Sequence, residues 1–164
     1  MIVLKLKKHN LNFFRVLAEM PLFAYLYVLI AVTLFPIQIF TKNTAVYNEG
    51  FGKQPMLLNL NVLYIKNYSP LQIVGNIILM APLAFFLALL FVKLRRPGHN
   101  LLVCALVSLS IEILQLIMNF FYLSYRTFDI TDLILNSIGS LVGLAAFEIV
   151  YMIFRETVDK VTPG

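Results

Sequence analysis

Four long apolar runs, separated by short polar breaks, dominate the chain. They cover roughly residues 22–40, 71–92, 101–121 and 130–154. Each has the ~20 mostly apolar residues that an α-helix needs to cross a bilayer. The pattern predicts an all-α membrane protein, a bundle of four transmembrane helices. At 164 residues it reads as a single domain, residues 1–164.

Composition agrees with that reading. The chain is 60% hydrophobic, against about 45–50% for soluble domains. Only 13% of its residues are charged, about half the soluble norm of ~25%. A soluble core of this size cannot hide so much apolar surface. A single cysteine, Cys104, excludes an internal disulfide and any multi-cysteine metal site. Cys104 lies in an apolar run and reads as a small core or lipid-facing residue.

The net charge of +5 sets orientation. Lys5, Lys7, Lys8 and Arg15 precede the first run; Lys93, Arg95 and Arg96 lie between the second and third; Arg155 and Lys160 follow the fourth. The other side carries only Lys42, Lys53, Lys66 and Arg126. Lysine and arginine stay on the cytoplasmic side, so both termini are expected there. The loops 41–70 and 122–129 are expected outside. No basic, aromatic-interleaved groove exists, so nucleic acid is not an expected partner. Residues 1–20 are basic and mildly amphipathic, and Pro21 separates them from the first run. The run is too long for a cleaved signal peptide and no small-x-small site follows it. An uncleaved anchor with a short interfacial segment fits better. In the outer loop, "LLNLNVLYI" alternates in part and suits an extended or re-entrant segment on the bundle mouth. Asn67-Tyr68-Ser69 matches a glycosylation sequon, a match common by chance.

Polar residues inside the runs carry the functional signal, because they are costly in a bilayer. In the third run, Ser108, Glu112, Gln115 and Asn119 share one helical face. Glu112 falls ~17 Å from the inner end, just beyond the midplane. In the fourth, Asp129, Asp132, Asn136, Gly139 and Gly143 form a second stripe, preceded by Arg126. In the second, Gln72 and Asn76 lie near the outer end, and Pro82 predicts a kink that opens room between helices. Three helices thus place polar residues in the outer half, with little polarity in the inner half. The plainer readings are specific. Asn76 and Ser108, taken singly, read as interhelical glue worth ~1 kcal/mol. Asp129 suits a helix N-cap and Asp132 a first-turn acid. Arg126 suits an interfacial charge, and Glu112 a protonated acid bonded to a neighbouring helix. Glu148, near the inner end, reads as structural. The GxxxG of Gly139 and Gly143 favours close packing within the bundle, with a homo-oligomer as the alternative.

Charge bounds the ligand. Three carboxylates against Arg126 leave a pocket that attracts a cation, an amine or protons. Its oxygens suit Mg or Ca rather than Zn, but the spacing defines no metal site and no cofactor is expected. No nucleophile–base pair is visible, since His9 and His99 both fall on the inner side.

Together these pieces resemble a known family. Asn76 to Pro82 reads N-x-x-x-x-x-P. Ser108, Glu112 and Gln115 read S-x-x-x-E-x-x-Q. Arg126 to Gly143 reads R-x-x-D-x-x-D-x-x-x-N-x-x-G-x-x-x-G. This order resembles the VanZ-like membrane proteins over residues 57–147. "LNLNVLYI" departs from the family's Asn-Leu-x-Pro-Phe-like segment at Asn61-Val62-Leu63, and Ala84 stands where the family often has glycine. The resemblance implies a small four-helix protein of the bacterial cell membrane, associated with teicoplanin and lipoglycopeptide resistance. The leading expectation is a non-enzymatic protein whose outward pocket binds the antibiotic, a lipid head group or a lipid-linked cell-wall precursor. The bet rests on Asn76, Glu112, Gln115, Arg126, Asp129, Asp132 and Asn136, with Pro82, Gly139 and Gly143 shaping the packing. The rivals are a lipid transporter or flippase, proton-coupled through Glu112, and last a metal-assisted intramembrane hydrolase.

Overall fold

The computed structural model describes residues 13–37, 58–124 and 126–162. Four helices make the bundle: α1 (Phe13–Leu34), α2 (Pro70–Leu90), α3 (Pro97–Phe120) and α4 (Ile130–Val161). Each is long and apolar enough to cross a membrane. Two strands of two residues, β1 (Leu58–Asn59) and β2 (Phe128–Asp129), pair in parallel at one end of the bundle. Short 3₁₀ helices at Val62–Asn67 and Val92–Arg95 flank α2.

Local chemistry sets the helix ends. The Ser69 side chain accepts the Gln72 N–H at 3.2 Å, and Pro70 takes the first helical position of α2. Pro97 does the same for α3. Helix α1 differs from the first apolar run. It starts at Phe13 and passes through Pro21 as one helix, so Pro21 does not separate an N-terminal segment from the span. One missing donor is tolerated where the rest of the helix holds its own hydrogen bonds. Its end at Leu34, earlier than residue 40, follows from Pro36, which disfavours helical backbone at Phe35. The run's last residues, 38–40, lie outside the described residues. Helix α4 outlasts its apolar run. Its backbone breaks at Phe154 (φ −120°, ψ 35°) and continues to Val161. The final turns bring Val158 into a cluster with Ala88, Leu144 and Phe147.

The closest pairing is α2 with α4. It depends on two glycines. A Cβ on Gly139 would stand 2.1 Å from the Ile77 carbonyl oxygen, and one on Gly143 1.9 Å from that of Ala81. The GxxxG face therefore packs inside the bundle, against the stretch of α2 just before Pro82. Helix α2 runs through Pro82 as a single helix. Pro82 and Gly143 together line an apolar groove of about 250 Å³. Met80, Leu83, Ala84 and Cys104 form the other core cluster, so Cys104 is a core residue.

The bundle is inside-out by soluble standards. Leu71, Tyr27 and Met152 are among many large apolar side chains on its outside. By contrast the buried residues of α3 are Asn100, Cys104, Ser108, Glu112, Gln115 and Asn119. The polar face of α3 is its buried face.

The glycine contacts make a sharp prediction. Gly143→Ala should lower stability in detergent by about 1–3 kcal/mol, because two backbones must separate. Gly75→Ala, where a Cβ meets nothing within 4 Å, should be neutral or stabilising by up to ~1 kcal/mol. Thermal unfolding of the two purified variants distinguishes them; equal midpoints would contradict the close-packing account.

Candidate functional site

The site begins at the N-terminus of α4. Asp129 caps that helix, its Oδ1 accepting the Thr131 N–H at 2.8 Å. Its Oδ2 accepts from Asn59 Nδ2 at 2.7 Å, so the cap also holds β1. Its own backbone N–H donates to Glu112 Oε2 at 2.9 Å. Glu112 and Asp129 are 2% and 5% exposed. Two acids far apart in sequence are thus joined through a backbone donor.

Asp132 sits one turn further along α4. Its Oδ1 accepts both from Asn76 Nδ2, at 2.5 Å, and from the Tyr68 hydroxyl, at 2.9 Å. Its Oδ2 receives no hydrogen bond from the described residues. Burial pushes the Tyr68 phenol well above its ordinary range, and the neighbouring carboxylates of Asp129 and Asp132 add to the effect. Tyr68 therefore stays a donor.

Helix α1 closes the remaining side. Gln115 Nε2 donates to the Thr33 carbonyl at 2.9 Å, and Arg126 Nη2 to that of Val32 at 2.9 Å. These carbonyls belong to the last turn of α1, where helical partners run out and a cation is favoured. Arg126 makes no salt bridge with the acids. A cavity of about 200 Å³ remains, lined by Tyr68, Gln72, Gln115, Arg126, Thr127, Asp129 and Asp132. A second cavity of about 300 Å³ shares Thr127 and Asp129 with the first and is also lined by Leu58, Asn59 and Tyr64.

The structure brings four of the seven candidate ligand residues to the first cavity: Gln115, Arg126, Asp129 and Asp132. Asn76 and Glu112 hold two of those acids from behind. Asn136 is deeper, donating to Ser108 Oγ at 2.8 Å, while its carbonyl accepts from Ser140 at 2.9 Å. Asn119, Thr131 Oγ1 and Asn136 Oδ1 are buried with hydrogen-bonding capacity that no described residue uses. Among the described residues, no three His, Cys, Asp or Glu side chains gather as a metal-binding group.

Sequence reasoning missed Asn59, Tyr68 and Thr127. The loop "LLNLNVLYI" held Asn59 in plain view, but only β1 pairing to β2 sets it against Asp129. Tyr68 was hidden inside a chance sequon, although Ser69-Pro70 marks the start of α2 and places Tyr68 at its mouth. The turn after α3 helps aim the chain across this mouth. Tyr122 adopts φ 59°, and the Leu123 N–H reaches back to the Met118 carbonyl at 2.7 Å, a Schellman-type ending made without glycine.

Fold and site define a four-helix, multi-pass membrane protein with a polar cavity at one end of the bundle. The VanZ/LLP1 family model matches residues 22–154, and the chain belongs to that family. No curated protein matches the chain. No solved structure matches it either.

Two measurements follow. Glu112→Ala strips the buried Asp129 N–H of its acceptor and should cost about 1–3 kcal/mol of stability. Glu112→Gln keeps an acceptor and should lose clearly less on unfolding in detergent; equal losses would disprove the backbone anchor. The raised Tyr68 pKa has a sign. Its stabilisation is complete below the unfolded phenol pKa of ~10 and fades as pH rises from there toward the folded value. Wild-type protein should therefore lose stability to alkali more steeply than Tyr68→Phe, and parallel stability–pH curves would refute this.

Proposed function

We propose that this protein works in the bacterial cell membrane with both termini cytoplasmic. Its outward cavity engages a glycopeptide antibiotic, or a lipid or lipid-linked cell-wall head group, and so supports teicoplanin-type resistance. One observation carries the reading. Asp132 is tied through Oδ1 to α2 and to Tyr68, while Oδ2 is left to the cavity. A half-buried carboxylate held in this way is a preorganised acceptor. Arg126 bonds the end of α1 and also lines the cavity, where it offsets one acid, so the cavity's surplus charge belongs to the acids. They suit an ammonium or hydroxyl-rich group. Leu58, which lines the neighbouring cavity, and Leu60 and Leu63 in the same segment are more than half exposed, an apolar surface that suits an amphiphile arriving from the outer leaflet. The lysine and arginine distribution supports the orientation, and the family's resistance phenotype agrees with a site on the side where glycopeptides act.

A second reading has its own support. The buried face of α3 carries one further amide, Asn100, deeper than the sequence stripe ending at Ser108. Such a face suits passage of a lipid head group, with proton coupling through Glu112.

Cells expressing Asp132→Asn or Glu112→Gln should fall to vector-level teicoplanin tolerance while holding normal amounts of protein in the membrane. Full protection by both variants would sink the binding reading. Reconstituted vesicles report on the second: movement of labelled lipid that Glu112→Gln abolishes favours transport, and no movement above protein-free vesicles removes it.

A further inference from the structure

The opposite end of the bundle has a distinct chemistry. Where α2 turns into α3, the exposed residues Val92, Lys93, Arg96 and His99 line an open surface cavity of about 310 Å³. Three of its four lining residues are basic and none is acidic. The other described basic side chains at this end are already engaged. Arg15 bonds Glu19 at 2.8 Å. Arg155 approaches Asp159, and Lys160 lies over the Phe14 ring. Arg95 is the most committed: it donates to Thr162 Oγ1 at 2.9 Å and to the Ala88 carbonyl, approaches Asp159, and covers the Phe147 and Tyr151 rings. Lys93, Arg96 and His99 make no hydrogen bond or ion pair with any described residue. Thus the basic groups the fold does not use are the ones that line the cavity.

We infer that this inner cavity is a phosphate-binding site, separate from the outer one. The backbone does not supply the charge, because the N–H groups of His99 and Asn100 both bond the Arg96 carbonyl. The attraction comes from side chains. Arg96 offers a planar fork that matches two phosphate oxygens, and Lys93 adds a point charge. Clustered basic side chains beside the end of a spanning helix suit anionic head groups. Phe91, Val92 and Leu102 are exposed beside the cavity, which places it at an apolar surface and suits a phosphate carried on a lipid. A free phosphate has the same recognising chemistry.

The test uses the full chain in neutral detergent, with fluorescent phosphatidylglycerol and fluorescent phosphatidylcholine as probes. Wild-type protein should prefer phosphatidylglycerol, and Lys93→Gln/Arg96→Gln should weaken that binding by about tenfold or more. Arg155→Gln/Lys160→Gln removes the same charge from the same end and should change it by less than about twofold. Inorganic phosphate then separates the sources. Displacement of the lipid shows that the phosphate group suffices; persistence shows that the lipid body contributes. Absence of any preference for phosphatidylglycerol, or an equal loss in the two double variants, overturns the inference. Protection against teicoplanin by the Lys93/Arg96 variant reads the outer site separately, so failure of one proposal leaves the other standing.

Discussion

The bond from the Asp129 N–H to the Glu112 carboxylate is the contact around which the polar end is built. In hydrocarbon a backbone donor without a partner is expensive, and so is a carboxylate without donors. The bond satisfies the donor and offsets part of the carboxylate's cost. The bond also fixes where α4 starts relative to α3. From that start the Asp129 side chain can cap its helix and hold Asn59, and Asp132 falls one turn on, within reach of Tyr68 and Asn76. The cavity is what remains between these fixed points.

A second constraint comes from below. Gly139 and Gly143 let α4 lie against the carbonyls of Ile77 and Ala81. Such packing sets the height of α4 against α2, and therefore brings Asn76 level with Asp132. The apolar grip and the polar mouth are one device. Small residues locate the helices, and the acids above them are positioned as a consequence. The two ends then differ in how they spend charge. Arg95 is consumed by the C-terminal turns, whereas Arg126 bonds the end of α1 and still faces the cavity with the carboxylates, and unpaired basic groups face a cavity at the other end.

Many plain readings of the polar residues hold together with the functional one. Asp129 is an N-cap and lines the cavity. Gln115 and Arg126 satisfy carbonyls of α1 and also line it. Asn136 with Ser108 is interhelical glue. A membrane protein this small reuses each polar side chain, since every one it buries must be satisfied before it can serve a ligand.

The sequence by itself determined the four spanning helices, the two polar stripes and the glycine face, because periodicity and hydrophobic length act locally and the bilayer enforces them. It also revealed the family, whose model spans residues 22–154. It overestimated the role of Pro21, because helix continuity in a bilayer is decided by the whole hydrogen-bonded segment. It undercounted α3, because Asn100 looks innocuous until the buried face is known. Only the tertiary structure decided which oxygen meets which donor. That Tyr68 and Asn76 converge on one oxygen of Asp132, that Asn59 reaches Asp129, and that Arg126 bonds the end of α1 while lining the acids' cavity are facts of relative helix height and of a two-residue strand pairing. Both are set by contacts between segments tens of residues apart, which no local pattern encodes.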